Sequence, residues 1–152
     1  MRSGAGTMSI VIGEELIQQI KRHGEQSYPD ECCGIMLGTH ENGVFRIHMV
    51  VAMENNQDAN RQRRFLITPS QYRDAERIAV EKGQTLLGFY HSHPDRRAIP
   101  SAFDTDHALP WFLYVIVSVI HSQADCISAW ILCDNRERFE EQSIMEQPQQ
   151  SE

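Results

Sequence analysis

Four residues stand at a spacing that allows metal chemistry: the histidines of His91-Ser92-His93-Pro94 and, after seven residues that intervene between His93 and Ser101, the serine and aspartate of Ser101-Ala102-Phe103-Asp104. In an extended strand, residues two apart share a face, so His91 and His93 can present their rings side by side. Pro94 has no N–H for a ladder, and the chain is expected to turn there. A helix opening at Ser101 would carry Asp104 in its first turn and return a carboxylate beside the two imidazoles. Two histidines and one aspartate are the donor set of a catalytic zinc site, whose fourth position is left to water. Each half has a duller explanation alone. Paired strand histidines are commonly structural, and Ser101-x-x-Asp104 is also a helix-capping pattern. Together they ask for something that bridges them, because a buried strand gains nothing from two consecutive inward histidines.

The elements that must position these residues are legible along the chain. Leu16, Ile17 and Ile20 have helical spacing over 14–23, with Gly24 as the expected stop. A strand is expected over Glu31–Leu37. Asn42-Gly43 then gives a strong hairpin signal, followed by a strand over Val44–Ala52. The polar stretch 54–64 reads as a loop, and Phe65–Ile67 as a short strand. Thr68-Pro69-Ser70-Gln71 is a helix start, with a capping threonine, proline at the first helical position and glutamine three residues after the cap. That helix carries Tyr72, Ala75 and Ala79 on one face and ends at Lys82-Gly83. Thr85–His93 reads as a central strand, apolar on both faces over its first half. A short helix over Ser101–Leu109 precedes Pro110, and Phe112–Ile120 and Cys126–Leu132 are further strands. The fold class is α/β, a single-domain mixed sheet flanked by helices. Residues 1–8 are expected to be a flexible leader, 9–139 the domain, and 140–152 a mobile polar tail.

Composition bounds the function. The 152 residues carry a formal charge of −7 and are 41% hydrophobic, which suits one ordinary globular core. The acidic balance, with no long basic stretch, argues against nucleic-acid binding. The longest apolar run, near 111–120, is about half the roughly 20 residues that a bilayer crossing needs. Four cysteines without a signal-like N-terminus are expected to be free thiols in a reducing cytoplasm. Oligomeric state leaves no mark in the sequence.

The HxH, seven residues, Ser-x-x-Asp pattern resembles the JAMM signature of MPN-domain metalloproteases, with every position filled. The segment Tyr28-Pro29-Asp30-Glu31-Cys32-Cys33-Gly34 is similar to the early glutamate region of that family, and Glu31 matches its glutamate. Asn55, Arg64-Phe65 leading to Thr68-Pro69, Gly88-Phe89-Tyr90-His91, Pro100-Ser101 and Tyr114–Ser118 extend the likeness to the small prokaryotic branch, over about residues 9–133. The resemblance implies an MPN/JAMM-like, cytidine-deaminase-like layered architecture. It implies that His91, His93 and Asp104 bind Zn2+, that Glu31 passes a proton from water to the departing amine, and that Ser101 donates to the tetrahedral oxyanion. It also implies a peptidase or isopeptidase acting at the C-terminal tail of a ubiquitin-like or sulfur-carrier protein. Only Ala108 to Trp111 separates the motif helix from the next strand. The long ubiquitin-gripping insertion of eukaryotic members therefore has no room, and the compact form resembles bacterial enzymes that trim a Gly-Gly tail. Such a tail is expected to lie extended along a sheet edge, with the 54–64 loop and its Arg61, Arg63 and Arg64 as a candidate wall.

Three other readings stay open here. A non-catalytic MPN-type interaction scaffold is the main alternative, although such a protein is expected to lack ligands and none is missing. A zinc deaminase needs an HxE and a PCxxC pair; His23-Gly24-Glu25 supplies the first by spacing, and nothing supplies the second. A thiol enzyme would use Cys32 or Cys33, which read more simply as small buried hydrophobes. Of the remaining histidines, only His107, one helical turn beyond Asp104, is placed to support the site.

Overall fold

The computed structural model describes residues 8–55, 67–135 and 137–147. Strand β1 (Ser9–Gly13) leads into helix α1 (Glu14–Ser27), then strands β2 (Cys33–Glu41) and β3 (Val44–Met53) form a hairpin. Helix α2 (Pro69–Glu81), strand β4 (Thr85–Pro94), helix α3 (Ala102–His107) and strands β5 (Leu113–Ile120), β6 (Gln123–Leu132) and β7 (Phe139–Gln147) follow. This is a mixed α/β domain, as the alternation of periods implied. The pairing order is β1-β3-β2-β4-β5-β6-β7, and β1 also pairs with β7. The β4–β5 pair is parallel, and so are both pairings of β1.

Local chemistry explains the best-specified pieces. Asn42 and Gly43 both have positive φ, at 53° and 77°, as a two-residue hairpin turn requires. Thr68 accepts from the Gln71 N–H at 3.1 Å while the Gln71 side chain accepts from the Thr68 N–H at 3.1 Å, a reciprocal cap that starts α2 at Pro69. Strand β4 lies between β2 and β5 and is buried on both faces. Alternation sorts its neighbours. Met36, Tyr90, Val115 and Val117 pack with Ile17 and Ile20 of α1, whereas Ile35, Leu37, Phe89 and Tyr114 pack with Ala75 and Ala79 of α2. His91 and His93 continue the Phe89 side, and Ser92 faces the other way, where its Oγ accepts from the Cys32 N–H at 2.8 Å.

Four expectations need correction. Gly24 does not stop α1, which runs on to Ser27. Instead it lets the helix lie close on the sheet, because a Cβ there would stand 3.0 Å from Val119 Cγ2 and 3.4 Å from Val117 Cγ1. Gly24→Leu is therefore expected to destabilise the fold by about 1–3 kcal/mol through overpacking, against at most about 1 kcal/mol regained from helix propensity. Urea unfolding would measure it, and an unchanged midpoint would contradict the close packing. Residues 9–13, which carry no element in the sequence reading, form β1, with Ile10 and Ile12 buried. Pro94 does not fall outside the ladder: it pairs with Val119 at the end of β4, beyond the start of β2 at Cys33, where no neighbour asks for its missing N–H.

The expected polar tail from Glu140 is also wrong as far as Gln147. Residues 139–147 form β7, antiparallel to β6 and parallel to β1. Its polar composition concealed a strand that is held by ladder bonds, by Phe139 edge-on to Tyr114 at 5.6 Å, and by the buried Gln142, whose Oε1 accepts from the Met8 N–H at 2.8 Å. The expected strand over Phe65–Ile67, apart from Ile67, lies outside the described residues, as do Arg61, Arg63, Arg64 and most of the loop they belong to.

Candidate active site

His91 and His93 leave β4 on one face and meet Asp104 from the first turn of α3. The two Nε2 atoms are 3.3 Å apart, and Asp104 Oδ2 stands 3.4 Å from that of His91 and 3.2 Å from that of His93. Their side chains are only 2%, 1% and 8% exposed, respectively for His91, His93 and Asp104. A cation held tetrahedrally at about 2.0–2.1 Å from each atom needs them about 3.3–3.4 Å apart. The triangle fits that ion. His93 Nδ1 lies 2.8 Å from the Arg97 carbonyl, which can only accept, so Nδ1 carries the proton and Nε2 turns a lone pair to the triangle.

Asp104 is fixed by the same cap that the sequence offered as an alternative explanation. Ser101 Oγ accepts from the Asp104 N–H at 3.1 Å, and Asp104 Oδ2 accepts from the Ser101 N–H at 2.8 Å. Capping and metal ligation are compatible, because Oδ2 also points at both imidazoles. Burial opposes ionisation of Asp104, but His91, His93 and the Ser101 N–H outweigh it and hold the carboxyl well below the usual carboxylate range. Burial likewise opposes charging of His91, yet the neighbouring aspartate leaves its pKa raised; His93 is lowered, chiefly by burial.

Glu31, just before β2, is buried, only 2% exposed. Its Oε2 accepts from Arg96 Nη2, and its Oε1 is buried without a hydrogen-bond partner among the described residues. Asn55 Nδ2 donates to the Glu31 carbonyl at 3.1 Å and ties down the approach to β2. Burial drives the carboxyl up and His91 and Arg96 only partly offset it, leaving its pKa at about 7. A carboxyl poised there can take up and release a proton near neutrality.

Arg96 is a site residue that sequence reasoning missed. Its signal was its place in the seven-residue spacer, but the pairing with Glu31 joins positions 65 apart. The spacer is held firmly: Ser118 Oγ donates to the Arg96 carbonyl at 2.5 Å, and Asp95 Oδ1 accepts from the His121 N–H at 2.8 Å. Also missed was an apolar cleft of about 500 Å³ whose lining includes His91 and Asp104. Tyr72, Phe112 and Phe139 form part of its walls, and Leu109 and Trp111 stand on it, 38% and 75% exposed. His107 lines the cleft as well, but its ring stacks on Phe103 at 4.0 Å and meets the Phe103 carbonyl, not Asp104. The thiols of Cys32 and Cys33 are both pushed up by burial, that of Cys32 to about 12, so neither suits a nucleophile.

A family model for prokaryotic homologs of the JAB domain matches residues 13–133, a span that contains the triad, Glu31 and Ser101. The chain belongs to the prokaryotic JAB-domain family. This JAB-domain chain is 30% identical over 92 residues to a desampylase of Haloferax volcanii, covering 59% of this chain and 63% of that protein. It is 29% identical over 104 residues to the tail tip assembly protein K of Escherichia phage N15, covering 66% of this chain and 38% of that protein. The chain thus spans less than two thirds of either relative. Among solved structures, a Salinibacter ruber protein superposes with a TM-score of 0.71 at 37% identity, covering 90% of each chain. A Desulfitobacterium hafniense protein superposes with a TM-score of 0.80 at 23% identity, over 92% of this chain and 94% of that one, and supports the fold alone.

Proposed function

We propose that this JAB-domain chain is a zinc-dependent peptidase or isopeptidase that cuts the amide bond after the Gly-Gly tail of a ubiquitin-like, sulfur-carrier type of protein. The observation that carries the reading is the triangle of donor atoms, all between 3.2 and 3.4 Å apart and nearly closed to solvent. The name of the Haloferax relative, a desampylase, supports removal of a protein modifier. The interaction-scaffold alternative loses ground because every ligand position is filled. Helices on both faces of the sheet support the cytidine-deaminase-like layering as part of the same reading.

His91, His93 and Asp104 would hold the ion. When bound, Zn2+ supplies Lewis acidity, bringing the pKa of water from about 15.7 toward about 7 and polarising a carbonyl oxygen. The Glu31 carboxylate takes the proton of the attacking water and returns it to the departing amine, work worth roughly 10²–10⁴-fold in rate. Ser101 Oγ already accepts from Asp104, and its own proton remains to be donated to the tetrahedral oxyanion. No helix among the described residues is long and apolar enough to cross a membrane. The described cysteines are all unpaired, which supports a reducing, cytoplasmic setting.

The test is mass spectrometry of carrier proteins whose Gly-Gly tails bear one or more extra residues, after incubation with zinc-loaded enzyme. Release of the extension, blocked by a chelator and restored by zinc, is the expected outcome. Intact carriers across a broad panel, with one zinc bound per chain, would overturn the hydrolase reading.

A further inference from the structure

The apolar cleft has a job that the Gly-Gly reading leaves unfilled. His91 and Asp104 are part of its lining, so a side chain seated beside them belongs to a residue next to the bond being cut. On the acyl side of that bond the tail carries two glycines, which have no side chains to place there. The neighbouring side chain must come from the leaving side.

The walls state its chemistry. Tyr72 and Phe112 meet edge-on at 5.9 Å, and Phe112 leans on Phe89 at 5.5 Å, so one wall is an aromatic stack. Most polar groups among the described residues of the lining are already engaged. Thr68 is occupied in its cap, and the Tyr114 hydroxyl accepts from the Leu109 N–H at 2.8 Å, which also pins the segment that forms the rim. Among the described residues, a charged side chain would lose its water there and find His91 and Asp104, already committed to each other, and His107, whose Nδ1 is taken by the Phe103 carbonyl. Trp111 completes the picture. It holds φ at 70°, a conformation that bulky residues seldom adopt, and it leaves its indole 75% exposed beside the cleft. A strained backbone that presents an uncovered aromatic ring suits a surface that becomes covered when substrate arrives.

We propose that this cleft seats a large apolar side chain of the leaving residue, so that the enzyme prefers Gly-Gly tails extended by an aromatic or aliphatic residue over those extended by an acidic one. The inference rests on the Gly-Gly reading above and adds the identity of what is released.

The chain has two tryptophans, so Trp130→Phe leaves Trp111 as its sole indole and a reporter on the cleft. The full-length, zinc-free Trp130→Phe protein is titrated with acetyl-Ala-Gly-Gly-Phe and with acetyl-Ala-Gly-Gly-Asp, which share a terminal carboxylate and differ only in the last side chain. The expected result is a saturable blue shift with the Phe peptide and a dissociation constant at least about tenfold lower than for the Asp peptide. Adding Leu109→Glu, a change at an exposed rim position, should abolish that preference. Equal responses to the two peptides, or no shift with either, would overturn the proposal. The readout needs neither zinc nor turnover, so failure of the cleft preference and failure to cut any carrier are read separately. Conversely, zinc-loaded enzyme that releases Phe and Asp extensions at equal rates would sink the cleft preference while keeping the hydrolase.

Discussion

His91→Ala should reduce the zinc content of the purified chain from about one ion to none, and hydrolysis should vanish with it. Changing a group that merely hydrogen-bonds a metal ligand already costs about 10–100-fold in affinity. Removing one of three ligands from a site this buried must cost more. Alanine in the space of a fully buried imidazole also leaves a cavity, so Asp104→Asn is the companion variant. It keeps the shape and the cap geometry but replaces an ionised oxygen by a neutral one. Elemental analysis of the two folded variants decides the matter: a full complement of zinc in both would mean that the ion sits elsewhere. His107→Ala, which alters a ring stacked on Phe103 away from the triangle, should retain its metal.

Glu31→Gln should hold zinc and lose turnover by roughly 10²–10⁴-fold, and it should do something less obvious to the metal-free fold. The Glu31 carboxyl has a pKa of about 7 in the folded chain against an ordinary value of 4.5. Below pH 4.5 it is protonated whether the chain is folded or not, and its burial has no electrostatic penalty. As pH rises from there, the unfolded chain gives up the proton first, so stability declines until the folded group ionises too, near pH 7. The full loss is about 3 kcal/mol. A neutral glutamine escapes it. Zinc-free Glu31→Gln is therefore expected to melt several degrees above the parent at pH 8, with the gap closing toward pH 4.5. Calorimetry across that range measures it. Equal melting at pH 8, or a variant that still turns over at the parent rate, would remove Glu31 from the role of proton carrier. A residue kept at a cost in stability is what a catalytic function predicts.

The site was legible where residues close in sequence are also close in space. The HxH pair lies two apart on one strand, and Ser101 and Asp104 lie within one helical turn, so periodicity brought together three residues that could hold a metal. The Asn42-Gly43 turn and the Thr68 cap were readable for the same reason. What stayed hidden depends on distant meetings. Arg96 reaches Glu31 across the β2–β4 neighbourhood, and the cleft is assembled from α2, the 108–112 segment and β7. Strand β7 escaped notice because its sequence, FEEQSIMEQ, lacks the apolar run that marked the inner strands, and backbone pairing carries much of its attachment. Gly24 was misread because a glycine near the end of a periodic stretch signals a stop equally well as a close contact, and only Val117 and Val119 across the gap distinguish the two.

Strand β1 hydrogen-bonds on one side to β3 and on the other to β7. During synthesis, β1 and β3 leave the ribosome well before β7, with three further strands and two helices between β3 and β7. Over that interval one flank of the nascent β1, with its isoleucines, has no companion and must wait, or be shielded by a chaperone, until residue 147 is free of the exit tunnel.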